Sequence, residues 1–142
     1  MAAGIGVMED EAYTRANCRT IMDNRAYAAA ELTKLGFVMT DSMTNFLFVR
    51  HPDVDGGEIY RALKARGILV RHFDGERIAA YNRITVGTKE QMDTLIKTLR
   101  IILEERKCTR RITKVSVSRE NLANAKMYAE HSVRLRMCTH RS

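Results

Sequence analysis

The chain has 142 residues, 45% of them hydrophobic and 29% charged. That composition suits a single soluble domain with an appendage and excludes a collagen-like, disulfide-dense or wholly disordered chain. The formal charge of +7 is not spread evenly: residues 1–106 hold 15 Lys/Arg against 15 Asp/Glu, whereas residues 107–142 hold nine against two. A neutral body with a basic tail is a different object from a uniformly basic nucleic-acid-binding fold. No apolar run approaches the roughly 18 residues of a membrane span. The N-terminal residues lack the basic region and apolar stretch of a secretory signal, and Cys18, Cys108 and Cys138 form no C-x-x-C pair. These features lead us to expect a cytoplasmic protein with reduced thiols.

The pattern predicts one long helix over residues 8–35. Glu9, Asp10 and Glu11 place acid at its start, where the helix dipole favours negative charge. Ala28, Ala29, Ala30 and Leu32 are good helix formers, and Gly36 is a natural stop. Phe37-Val38-Met39 is a short apolar run. Phe46-Leu47-Phe48-Val49 reads as a buried strand entered through Asn45 and ended by His51-Pro52-Asp53. The last tripeptide also occurs in J-domains, but there it joins two helices, and here it reads as a loop after a strand.

Asp55-Gly56-Gly57-Glu58 has capping-box spacing and opens a helix to about Arg66, stopped by Gly67. Ile68-Leu69-Val70 is the next predicted strand and ends at Arg71. A connection from His72 to Asn82 contains the Asp74-Gly75 turn signal. Arg83-Ile84-Thr85-Val86-Gly87 alternates as a half-buried strand does. Thr88-Lys89-Glu90-Gln91 caps a last helix whose stripe is Met92, Leu95, Ile96, Leu99, Ile102 and Leu103. The fold class expected is α+β: a two-layer sandwich in which a small, mostly antiparallel sheet of about four short strands is covered on one face by helices.

Beyond Arg106, Thr113, Val115 and Val117 suggest a short strand, and Ser118 opens a thinly apolar helix to about Arg136. Two readings of this tail stay open: contact with nucleic acid or an acidic partner, and a solvated extension. Tyr128 is its one aromatic residue for base stacking, which favours the second.

Four histidines show no metal-ligand spacing, and no nucleophile motif is present. The informative feature is a pair of arginines. Arg71 ends one predicted strand and Arg83 begins the next, so antiparallel pairing brings two guanidinium forks to one end of the sheet. Two forks suit a phosphate or carboxylate. On charge counting alone, pairing of both arginines with Asp74 and Glu76 of the intervening loop is the stronger alternative.

The segments Gly67–Arg71, Arg83–Thr88 and Glu90–Ile96 resemble the C-terminal part of histidinol-phosphate aminotransferase. Ser42–Val49 is similar to that family's entry into its small domain, and Glu9–Phe37 is similar to the helix that links its large and small domains. The chain departs from the family pattern at Asp41, where proline is common, and at Asn82, where an apolar residue usually precedes the arginine. The resemblance covers roughly residues 2–106 and implies this division: residues 1–36 as a linker helix, 37–106 as an aminotransferase small domain, and 107–142 as an unmatched basic tail.

The resemblance also implies a family dependent on pyridoxal phosphate (PLP) and normally dimeric. Its members move an amino group between histidinol phosphate and 2-oxoglutarate in histidine biosynthesis. It assigns Arg71 to the substrate phosphate and Arg83 to the phosphate or carboxylate, a reversal of the charge-counting alternative, and it makes Asn45 a candidate lining residue. No lysine here has the family's cofactor-lysine context, so PLP is expected only with the missing large domain, and the chain is expected to be inactive alone. The partners implied are an anionic small molecule, that large domain and a second copy of the chain, without membrane or nucleic acid. A related aminotransferase or phospho-amino-acid decarboxylase domain, and a non-catalytic binding module, are the competing readings.

Overall fold

A computed structural model describes residues 2–111, and the expected tail strand and tail helix lie outside them. The chain divides into two compact units, Met1–Ile102 and Leu103–Ser142. Of the second unit, residues 103–111 are helical.

The N-terminal helix is broken where one continuous helix is expected. Helix α1 spans Ala2–Glu9 and α2 spans Glu11–Lys34. The break comes from Asp10, whose side chain accepts from the Tyr13 N–H and so serves as the N-cap of α2. The acidic triplet therefore marks a second helix start. At its far end α2 closes through Gly36 at φ 88°, with the Phe37 N–H donating to the Leu32 carbonyl. This left-handed closure leaves Phe37 to fold back into the core.

The strands are β1 (Val38–Met39), β2 (Phe46–Arg50), β3 (Arg71–His72) and β4 (Tyr81–Thr85), with helix α3 (Gly56–Ala65) between β2 and β3. They form one antiparallel sheet in the order β1-β2-β4-β3. His51-Pro52-Asp53 lies in the tight turn bridged by His51 and Val54, as its loop reading requires. The predicted caps are present: the Asp55 carboxylate accepts from the Glu58 N–H, and Thr88 and Gln91 exchange side-chain and main-chain bonds at the start of the last helix, α4 (residues 89–111).

Several strand limits differ from expectation: β2 runs one residue further, to Arg50, β4 ends at Thr85 instead of Gly87, and the starts of β3 and β4 both move. Ile68–Val70 makes no ladder, and β3 begins only at Arg71. The cause is the exit of α3: Gly67 adopts φ 77° and the Ile68 N–H returns to the Leu63 carbonyl, so Ile68 completes the helix cap. Leu69 is then left 75% exposed. Strand β4 starts two residues early, at Tyr81, and so includes the buried polar Asn82.

One face of the sheet holds the core. Leu47, Val49, Ile84 and Val86 meet Ala28 and Leu32 of α2, Ile59 and Leu63 of α3, and Met92, Leu95, Ile96 and Leu99 of α4 within one buried set. Asn82 belongs to this face, and both its amide nitrogen and its amide oxygen are hydrogen-bonded. Its Nδ2 donates to the Gly56 carbonyl at 2.9 Å, and its Oδ1 lies 3.2 Å from His72 Nδ1. With the amide nitrogen committed to Gly56, the oxygen accepts and His72 Nδ1 must carry the proton. Because His72 and Asn82 are register partners, this pair pins β3 against β4.

Polar ties fix α2 to the same body. Asn24 Nδ2 donates to the Gly87 carbonyl and Arg25 to the Thr44 carbonyl. Tyr27 donates its hydroxyl to Asp93 of α4, which also pairs with Lys89. The Tyr27 bond, reinforced by Lys89, holds the Asp93 carboxyl below its usual range. Their own hydrogen bonds to Asp93 raise the Tyr27 phenol and the Lys89 ammonium. A lowered carboxylate contributes stability above its unfolded value and loses it as pH falls through the folded one. The raised groups contribute below their unfolded values and lose it as pH rises through the folded ones. Tyr27→Phe is therefore expected to weaken the acid-side dependence of stability, and urea midpoints between pH 2 and pH 6 for the two proteins measure this. Parallel curves would show that Asp93 draws nothing from the phenol.

Candidate anion site

Alternation along the strands sends Phe46, Phe48 and Arg50 of β2 and Tyr81, Arg83 and Thr85 of β4 to the face away from the helices. Arg71 of β3 is the register partner of Arg83, and Phe48 is its partner on the other side. Residues directly opposite in an antiparallel pair share a face and sit as close neighbours. The two guanidinium-bearing residues are thus brought together by register, one strand inward from the edge and one on it.

Like charges placed opposite each other repel, so the pair needs compensation. The loop carboxylates do not supply it. Asp74 is fully exposed, and its carboxylate lies 4.0 Å from His72 Nε2, away from both arginines. Among the described residues no carboxylate forms an ion pair with Arg71 or Arg83. The expected alternative, in which Asp74 and Glu76 neutralise both arginines, is not what the chain adopts.

Aromatic rings surround the arginines. The Arg83 guanidinium lies 4.3 Å from the Phe46 ring centre and 6.0 Å from that of Phe73; Arg71 lies 5.6 Å from the Phe73 ring centre. Arg50 lies over Tyr81, which stacks on Phe48 with centroids 4.6 Å apart. Ring faces carry negative quadrupole density and attract a cation without neutralising its charge. The face therefore keeps its positive charge available to an anion. Arg83 Nε is buried and has no hydrogen-bond partner among the described residues. Arg71 is exposed and Arg83 half-buried.

Asn45 sits at the entry to β2, and its carbonyl accepts from the Val86 N–H at 2.8 Å. It stands three residues before Phe48, the register partner of Arg83, or about 10 Å along the strand. The contact recorded for it is thus a main-chain ladder bond. A groove of about 480 Å³ runs past Leu69, Thr85, Gly87 and Leu95, and neither arginine lines it. The candidate anion site is an open sheet face, and sequence reasoning missed its rings. Phe46 was detectable in principle, since it alternates with Phe48, whereas Phe73 lies in a loop where no period applies.

Among the described residues no helix is long and apolar enough to cross a membrane, and no three His, Cys, Asp or Glu side chains cluster as metal ligands. Cys18 and Cys108 are free and exposed.

The family model described as aminotransferase class I and II matches residues 2–99. Histidinol-phosphate aminotransferase 2 of Dechloromonas aromatica is 45% identical over 102 residues, covering 72% of this chain and 29% of that protein. The histidinol-phosphate aminotransferase of Chromohalobacter salexigens is 42% identical over 100 residues, covering 70% of this chain and 28% of its own. Among solved structures, the histidinol-phosphate aminotransferase from Clostridium acetobutylicum superposes with a TM-score of 0.62 at 21% identity, over 68% of this chain and 30% of that one. L-threonine-O-3-phosphate decarboxylase from Porphyromonas gingivalis gives a TM-score of 0.56 at 27% identity, over 61% and 28%. The chain spans less than a third of the length of these relatives. With a family match over residues 2–99 and an α+β fold shared with its solved relatives, the chain belongs to the class I and II aminotransferases.

Proposed function

We propose that this chain is the small, substrate-holding domain of a histidinol-phosphate aminotransferase, in which Arg71 and Arg83 grip the anionic end of the substrate. The observation that carries the reading is the register pair itself: two forks opposite each other on an open face, with no carboxylate of the described residues ion-paired to either. The names of the similar proteins supply the substrate class, a phosphate ester. Arg71, on the outer strand and exposed, takes the phosphate. Arg83, seated on Phe46, takes the phosphate or the carboxylate of 2-oxoglutarate according to which substrate is present.

The family works with PLP, which supplies an electron sink for the amino-transfer chemistry. The described residues of this chain do not form a seat for it. All five of their lysines (Lys34, Lys64, Lys89, Lys97 and Lys107) are exposed. Lys34 pairs with Glu31, Lys89 pairs with Asp93, and Lys64 lies over Tyr60. None is enclosed beside an acid that could hold a pyridine nitrogen. What the chain's own residues do is bind and orient an anion; the cofactor and the proton transfers belong to a large domain, and the cytoplasm is the compartment proposed for both.

Mixing the chain with PLP and glutamate tests this division of labour. Borohydride is expected to leave PLP scattered at low occupancy over several surface lysines, with no glutamate-dependent turnover. Stoichiometric fixation on one lysine together with turnover would contradict it.

A further inference from the structure

We propose that Phe73 is the positioning residue of the arginine pair, a single ring shared by both guanidinium groups that holds two like charges side by side. The inference rests on the reading of Arg71 and Arg83 as an anion site and adds to it the group that keeps the site assembled when empty. Three observations converge. Arg71 and Arg83 occupy one register position, where like charges repel. No carboxylate of the described residues forms an ion pair with either. The Phe73 ring lies within reach of both, at 5.6 Å and 6.0 Å, so its negative face offsets repulsion that no anion offsets in the free protein.

The placement of Phe73 is determined by the fold. It follows His72, which is tied to Asn82 at the end of β3, and its ring lies against both guanidinium groups. The ring is half-buried and makes an edge contact with Phe48, with centroids 6.1 Å apart. Phe48 in turn stacks on Tyr81. The shared ring is therefore braced by the sheet and is not free to follow either arginine. A ring, unlike a carboxylate, supports the cations without occupying their hydrogen-bonding edges, which stay available to an incoming phosphate.

The test compares Phe73→Met, which keeps apolar bulk without a ring face, with Phe73→Tyr, which keeps the face. The first readout needs no ligand: Nε–Hε relaxation and exchange of Arg71 and Arg83 by NMR in the free chain. Phe73→Met is expected to mobilise both guanidinium groups while the urea midpoint stays near that of the parent, and Phe73→Tyr to restore them. The second readout is titration with inorganic phosphate, which Phe73→Met is expected to weaken about threefold to tenfold and Phe73→Tyr to leave within about twofold. Unchanged mobility of both arginines in Phe73→Met would overturn the proposal. So would equal loss in both variants, since that marks a packing role. If the parent binds no phosphate while the mobility pattern appears as described, the anion-site reading fails and the positioning role stands.

Discussion

Arg83→Met is expected to weaken phosphate binding about tenfold or more while leaving the fold intact. A charge-assisted hydrogen bond contributes about 1.5–3 kcal/mol, and the substitution removes a whole fork from a two-fork site. Stability should move in the other direction or not at all. Arg83 has no ion-pair partner among the described residues, and its opposite neighbour in the ladder is another arginine. Methionine keeps the stem against Phe46 and relieves the repulsion, so the unfolding free energy should stay within about 0.5 kcal/mol of the parent or rise slightly. Arg83→Lys keeps the charge without the planar fork and should recover only part of the affinity. Calorimetric phosphate titration beside urea unfolding separates these effects. Joint loss of binding and stability would identify Arg83 as a structural residue and remove it from the site.

Gly56→Ala is expected to be the most destabilising small substitution at the sheet–helix junction. A Cβ there would lie 2.6 Å from the Ala79 carbonyl oxygen and 2.7 Å from both the carbon and the oxygen of the Ala80 carbonyl. All three contacts are main chain, so no side chain can swing away. Alanine must push α3 off the connection that leads into β4, and it disturbs the Gly56 carbonyl that satisfies Asn82. Overpacking of this kind costs about 1–3 kcal/mol, and the buried amide adds to it if its bond is lost. Gly57→Ala serves as the control. Its nearest neighbours are side-chain atoms, of the Arg61 guanidinium, the Asp55 carboxylate and the His72 ring, at 3.1–3.3 Å, a looser fit than the main-chain contacts at Gly56. A urea midpoint for Gly56→Ala no lower than that of Gly57→Ala would contradict this account of the junction.

What the sequence makes legible is mainly local. The Asp55 and Thr88–Gln91 caps and the glycine stops at Gly36 and Gly67 involve residues within a few positions of one another, and they occur where their spacing places them. The split at Asp10 is also local, but a capping aspartate and an acidic first turn look alike in sequence, and only the Tyr13 bond distinguishes them. The β3 boundary depends on tertiary pairing. Ile68-Leu69-Val70 is the better strand former, yet the ladder forms at Arg71-His72, where β4 offers a partner and Asn82 a hydrogen bond. Asn82 looks like a loop residue because its two partners, Gly56 and His72, are 26 and 10 positions away. The proximity of Arg71 and Arg83 follows from the expected hairpin-like pairing. Their seats on Phe46 and Phe73 do not, since those depend on side-chain directions across three strands and a loop.

Paired titrations with histidinol phosphate and histidinol test most directly whether the sheet face carrying Arg71 and Arg83 recognises a phosphate ester. The two ligands share the imidazole and the amine and differ only in the phosphate. Because this face is open to solvent, binding should be weak and should fade with added salt, the Debye length being about 8 Å at 0.15 M ionic strength. Histidinol phosphate is expected to shift the Nε–Hε resonances of both arginines along one isotherm, while histidinol leaves them in place. Equal shifts with both ligands, or shifts confined to arginines elsewhere on the chain, would rule out that recognition.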